Sequence, residues 1–164
     1  MIIESILILV VCSIIIGICN LYGKIKFKKK PLAMKVKLPG GLPIISLYNN
    51  SKVFNFIIDS GSNISHISSE YYSQLDTELV GTYKEGQIKG LGANNVGVTM
   101  CKATLKDLFN KEYDVNLSIS KEFADVANHI SANTKIPIHG LLGTDFLNKY
   151  NFIINFESLE LYNK

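Results

Sequence analysis

The chain has 164 residues, among them 17 lysines and no arginine, 14 acids and three cysteines, a length that fits one domain of ordinary size. Without a guanidinium there is no bidentate clamp for phosphate or carboxylate, so arginine-based mechanisms are excluded within this chain. The net charge of +3 comes from one short basic stretch, which argues against a nucleic-acid surface.

From Ile2 to Tyr22 the clearly polar residues are Glu4, Ser5, Ser13 and Asn20. At a helical rise of about 1.5 Å these residues span roughly 31 Å, close to the thickness of a bilayer core. The segment, residues 1–23, is therefore predicted to be one transmembrane helix and anchor. A cleaved signal peptide fits less well, because Glu4 and no Lys or Arg precedes the apolar run and no small-x-small site follows it. Lys24, Lys26, Lys28, Lys29 and Lys30 come next, a basic juxtamembrane linker over residues 24–37 that the positive-inside rule places in the cytoplasm. A single-pass membrane protein with a cytoplasmic domain is expected. Without the five stalk lysines and Glu4, 12 lysines face 13 acids, so the domain itself is close to neutral. Cys12 and Cys19 lie in the span and Cys101 is alone in the domain, so no disulfide framework is expected there.

The domain over residues 38–164 changes to short alternating runs rich in Val, Ile, Phe and Tyr, which predicts strands. Leu42 to Tyr48 and Val53 to Ile58 flank the turn-forming Asn49-Asn50-Ser51-Lys52 and are predicted to form a hairpin. Asp59 then leaves the second strand into Ser60-Gly61-Ser62, with Gly61 expected to supply unusual backbone angles. Ile64 to Ile67 is a short strand, and Ser68 is read as the cap of a short helix through Leu75. Between Tyr83 and Leu108, Gly86, Gly90, Gly92 and Gly97 surround Asn94-Asn95, which suits a mobile hairpin with its tip near residues 91–95. Tyr113 to Ile119 alternates as a half-buried strand. A loop with Ser131, Asn133 and Pro137 is expected next, then a strand over Ile138 to Leu142. Gly143 follows, and a short helix capped by Thr144 or Asp145 runs through Tyr150. Phe152 to Phe156 and Leu159 to Tyr162 are the last strands. His66, His129 and His139 lack ligand spacing and read as ordinary surface or loop residues, so neither a metal nor any other cofactor is implied.

An Asp-Ser-Gly triplet alone carries little information, since Asp beside Gly is most often a turn residue satisfying nearby N–H groups. Its context carries more: an apolar strand before it, a glycine-rich hairpin after it, and Leu141-Leu142-Gly143 ahead of a short helix. In this order the three elements resemble the retropepsin-like aspartic proteases, the retroviral-type single-lobe family, over roughly residues 38–162. The resemblance implies a mainly β, single-lobe acid-protease barrel with short helices. It implies a catalytic role for Asp59 and a hydroxyl at Ser60 that grips the opposite subunit's backbone. Gly61 and Ser62 would complete the turn, with Leu142 and Gly143 packed beneath it and a flap containing Gly90, Leu91, Gly92, Ala93 and Asn94. Many relatives place Arg after that glycine to brace the dimer; here it is Thr144, which leaves the dimer contacts open.

Chemistry of this kind needs two carboxyls sharing one proton, one to accept a proton from water and one to give a proton to the carbonyl. The chain holds one Asp-Ser/Thr-Gly and is short for two lobes. A symmetric homodimer acting on a peptide or protein substrate is therefore expected, helped by confinement to a bilayer. The alternative is a catalytically silent retropepsin-like dimerisation or peptide-binding module that captures an extended segment in its cleft.

Overall fold

The computed structural model describes residues 32–33, 36–37, 42–83 and 98–163. The expected transmembrane helix over residues 2–22, the stalk lysines and the flap residues 90–94 lie outside the described residues. Among the described residues no helix is long and apolar enough to cross a membrane.

The hairpin forms as its turn chemistry predicts. Strand β3 (Pro43–Asn49) and strand β4 (Lys52–Ile58) pair antiparallel, with Asn49 opposite Lys52. The two residues between them, Asn50 and Ser51, both take positive φ, 44° and 67°, the geometry whose twist matches a two-residue β-hairpin. Ile45, Leu47, Phe54, Phe56 and Ile58 from these strands enter the main core.

Two short pieces precede the hairpin, β1 (Leu32–Ala33) and β2 (Val36–Lys37). After it come β5 (His66–Ser68), β6 (Thr77–Tyr83), β7 (Val98–Lys106) and β8 (Glu112–Ser120). Helix α1 (Lys121–Thr134), β9 (Gly140–Leu142), helix α2 (Thr144–Lys149), β10 (Phe152–Asn155) and β11 (Glu160–Asn163) complete the chain. The larger sheet runs β2-β3-β4-β9-β5-β8-β7-β6, and β3 also meets β7 at Tyr48 and Lys106. That contact closes six strands into a barrel, which removes the open edges a flat sheet of this size would leave. A second sheet, β1-β11-β10, joins the C-terminal hairpin to residues 32–33. The fold is mainly β with few, short helices.

Three elements differ from the sequence reading. The helix expected over Ser68 to Leu75 is a single 3-10 turn at Tyr72–Gln74. Ser68 is buried in β5, where its N–H bonds to the His139 carbonyl at 2.9 Å, and Leu75 is already extended and buried on its way to β6. Few residues are left between those anchors for a longer helix. Strand β6 over Thr77–Tyr83 had no sequence signal, because its Leu79 and Val80 are exposed and there is no clean alternation. The loop expected after Ile119 is instead the 14-residue helix α1. The Ser120 hydroxyl accepts the N–H of Phe123 at 3.0 Å as its cap, and Ala127 packs with Ile44, Ile57 and Ile138, flanked by Phe123 and Ile130. Residues 123, 127 and 130 recur at helical spacing on one face. Tertiary burial of that stripe overrides the weak helix propensity of Asn128, Ser131, Asn133 and Thr134.

Candidate active site

Strand β9 lies between β4 and β5, parallel to the first and antiparallel to the second. Since β4 and β5 are consecutive in the chain, the segment joining them, residues 59–65, must cross over the end of β9. Asp59 is the first residue of that crossing. Its N–H donates to the Leu142 carbonyl at 3.0 Å, its carbonyl accepts the N–H of Ser62 at 3.2 Å, and its carboxylate Oδ1 accepts the N–H of Gly61 at 2.8 Å. Backbone and carboxylate are thus held by separate bonds. Asp59 is half-buried while Ser60 and Gly61 are exposed, so the site lies at the surface of a single chain.

Gly61 does not occupy the left-handed region expected for it; among the described glycines only Gly81 has positive φ. Its value is closeness, because a Cβ there would stand 3.1 Å from the Asp59 carboxylate oxygen it serves. The Ser60 hydroxyl bonds to no other described residue of the chain. Ser62 turns inward: its hydroxyl donates to the Ile64 carbonyl at 2.7 Å, and its carbonyl accepts both the N–H and the hydroxyl of Thr144, at 2.8 and 3.1 Å. Thr144, the departure from the family pattern, is therefore used within the chain.

Beneath the crossing sit Leu142 and Gly143, both buried. Leu142 belongs to the main core with Ile58 and Ile67. Any Cβ on Gly143 would lie 2.7 Å from the Ser62 carbonyl oxygen and 2.8 Å from that of Ile64, so hydrogen is the only substituent the loop accommodates. Gly140 is as constrained, with the His66 carbonyl and the Phe56 ring both 2.5 Å from its would-be Cβ. The structure thus gathers Asp59, Ser60, Gly61, Ser62, Leu142 and Gly143 into one place. The flap positions Gly90, Leu91, Gly92, Ala93 and Asn94 are outside the described residues, although β6 and β7, which lead to and from that segment, pair as a hairpin.

The sequence reading missed the brace that fixes this loop. Gly143, not Thr144 or Asp145, is the N-cap of α2 and makes no side-chain cap bond. The Asp145 carboxylate instead accepts the N–H of Ser65 at 3.0 Å, its hydroxyl at 2.7 Å and the N–H of Phe146 at 2.8 Å. Ser65, fully buried, in turn accepts the Gly143 N–H at 3.0 Å. One carboxylate thereby ties the Ser65 end of the active-site crossing to the first turn of α2. The only hint in the sequence is an acid in the first turn of a helix, which reads equally well as a favourable charge at a helix N-terminus.

His66, in strand β5, departs from the surface or loop role expected of it, and His139 lies in the loop before β9. His139 is half-buried against Phe54 and Tyr71, and its Nδ1 accepts the N–H of Asn55 at 2.9 Å. Burial holds its pKa below the ordinary histidine value, as that bond requires, since a protonated Nδ1 accepts nothing. His66 in β5 stacks on Phe123 with ring centroids 6.3 Å apart, and its Nδ1 is buried without a hydrogen-bond partner among the described residues. Burial lowers its pKa too, against the opposing pull of Asp145, Glu122 and Asp59. Cys101 is fully buried in the main core and burial pushes its thiol up to about 11, as befits an inert core residue.

No family model and no curated protein sequence matches the chain. Several solved structures resemble it, among them the three that follow. The EIAV protease complexed with the inhibitor HBY-793 is 19% identical, over 70% of this chain and 93% of that one, with a TM-score of 0.46. A retropepsin-like aspartic protease from Rickettsia conorii is 17% identical, over 82% and 89%, with a TM-score of 0.47. The foamy viral protease-reverse transcriptase in complex with an RNA/DNA hybrid is 11% identical, over 65% and 12%, with a TM-score of 0.42. The structural neighbours are retroviral and retropepsin-like aspartic proteases.

Proposed function

We propose that the chain is an aspartic endopeptidase, assembled as a homodimer in which Asp59 of each copy contributes one carboxyl to a shared site. The observation that carries this reading is the placement of Asp59: a carboxylate whose backbone is locked onto β9 and whose Oδ1 is fixed by the Gly61 N–H, at a half-buried position beside the exposed Ser60 and Gly61.

One such group is half of the necessary chemistry. Of two carboxyls about 3 Å apart only one can be ionised, so the pair shares a proton. The ionised member takes a proton from a water molecule as that water attacks the peptide carbonyl carbon. The protonated member gives its proton to the carbonyl oxygen, forming a gem-diol intermediate. The member that took the proton from water then gives it to the amide nitrogen while a gem-diol hydroxyl returns a proton to the other member, which breaks the C–N bond and restores the one-proton pair. No described acid of the chain is hydrogen-bonded to Asp59, and Asp145, on the neighbouring helix, is committed to Ser65. The partner carboxyl is therefore assigned to a second copy, and the unpaired hydroxyl of Ser60 is the group suited to bond across a two-fold axis.

Membrane attachment is part of the same proposal. The apolar run over residues 2–22 would anchor each copy, and the lysines at 24, 26, 28, 29 and 30 would keep the domain on the cytoplasmic side. Confinement in two dimensions would raise the local concentration of copies and favour pairing.

Hydrolysis of a peptide library should be lost in Asp59→Asn and blocked by a hydroxyl-containing mimic of the tetrahedral intermediate. Peptide binding that survives Asp59→Asn, with no turnover by the unaltered chain, would establish the binding-module reading instead.

A further inference from the structure

His66, Leu141 and Ile57 stand side by side in one cross-strand row of β5, β9 and β4. Ile57 packs under α1 and His66 stacks on Phe123 of the same helix, so this row faces α1. Asp59 lies two residues beyond Ile57 and shares its face by the alternation of a strand. Two strand spacings of about 4.8 Å and two residue rises of about 3.3 Å place its backbone roughly 12 Å from that of His66.

Three carboxylates from three different elements act on the imidazole: Asp145 from α2, Glu122 from α1 and Asp59 from the crossing loop. Phe123 covers one ring face. A buried polar atom with no partner calls for an explanation, and the contrast with His139 supplies one. Protonating His139 breaks the bond its Nδ1 accepts from Asn55. Protonating His66 breaks none, and it answers three negative charges.

We propose that His66 is a positioning residue that acts through Asp59: by taking up a proton in mild acid it places a positive charge beside the catalytic centre and disfavours a second proton on the Asp59 pair. The part that concerns catalysis rests on the peptidase reading above; the charge coupling between His66 and Asp59 does not. Because the pair works with one shared proton, a charge on His66 extends the working range toward acid. The upper end of the range, where His66 is already neutral, is untouched. For unit charges about 12 Å apart at effective dielectric constants of about 40 to 80, the coupling amounts to roughly 0.2 to 0.5 of a pH unit. Linkage makes it reciprocal, so removing the charge of Asp59 must lower the pH at which His66 titrates by the same amount.

The decisive measurement is an NMR titration of the imidazole Cε1–H signals in the full chain in detergent micelles, where three histidines can be assigned by single replacement. His66 should titrate below the usual histidine range. Its midpoint should fall by roughly 0.2 to 0.5 of a unit in Asp59→Asn and by at least as much in Glu122→Gln, with His129 unmoved in Asp59→Asn. A midpoint that responds to Glu122→Gln and ignores Asp59→Asn would overturn the proposal. This readout needs no turnover, so it stands or falls separately from the peptidase reading. With activity in hand, His66→Gln should move the acid limb of the kcat/KM profile up by the same amount and leave the other limb in place. A uniform loss of rate with both limbs unmoved would reduce His66 to a structural residue.

Discussion

Removing the Asp145 carboxylate tests whether the crossing loop is held as described. In Asp145→Ala the Ser65 N–H and hydroxyl lose acceptors at 3.0 and 2.7 Å, and the Phe146 N–H loses one at 2.8 Å. Ser65 is fully buried, so its donors are not rehydrated without opening the loop. Leaving a buried donor unmatched costs about 1–3 kcal/mol. Asp145 itself is exposed, and water entering from its side recovers part of that loss. A net destabilisation of about 2 kcal/mol follows, or roughly 6–10 °C in Tm for a domain of this size. Ser65→Ala should cost about 1–2 kcal/mol by stranding the Gly143 N–H. The double variant should be less destabilised than the sum of the singles by about 1 kcal/mol or more, since the two residues share bonds. Urea unfolding of all four proteins, followed by circular dichroism, measures the cycle. Additivity within about 0.3 kcal/mol, or an Asp145→Ala variant as stable as the parent, would show that this brace does not hold the loop.

Gly143→Ala should lower Tm and reduce turnover together, because relief of the 2.7 and 2.8 Å contacts with backbone carbonyls must move the loop that carries Asp59; overpacking of this kind costs about 1–3 kcal/mol, and thermal unfolding beside a peptidase assay reads both effects. Stability should decline as pH falls below about 6.5. His66 and His139 have pKa values lowered by burial, so the unfolded chain binds more protons than the folded one just below that pH; the stability present above the unfolded value is lost as pH drops through the folded values. Urea midpoints between pH 7.5 and 5 check the sign, which reverses if the folded values are raised. Cys101, with its thiol near 11 and its side chain fully buried, should resist alkylation at pH 8 until the domain unfolds, as read by mass spectrometry of its peptide; labelling of the native protein at the rate of a free thiol would place it outside the core.

The parts of this fold that were legible in the sequence are those where local chemistry and tertiary environment agree. Asn50 and Ser51 adopt the positive φ that a two-residue hairpin needs, and the apolar runs either side of them are the strands of the core. Asp59, Gly61, Ser62, Leu142 and Gly143 meet because an apolar run before each glycine-bearing turn marks a strand ending at the same layer. Helix α1 was not legible, since its polar face has the composition of a loop and its apolar stripe becomes visible only against Ile44, Ile57 and Ile138. The link from Asp145 to Ser65 spans 80 residues, and no pattern in either neighbourhood announces the other. His66 and His139 read as ordinary surface or loop residues because nothing nearby in sequence shows that Phe123, Phe54 and Tyr71 will cover them.

The central claim, that two copies each supply Asp59 to one site, is tested most directly by mixing. The unaltered chain and Asp59→Asn, co-expressed in equal amounts at fixed total concentration, should pair at random and leave about a quarter of the activity of the unaltered protein, because mixed pairs lack one carboxyl. Retention of about half would mean that each copy works alone, and the shared-carboxyl account would be wrong.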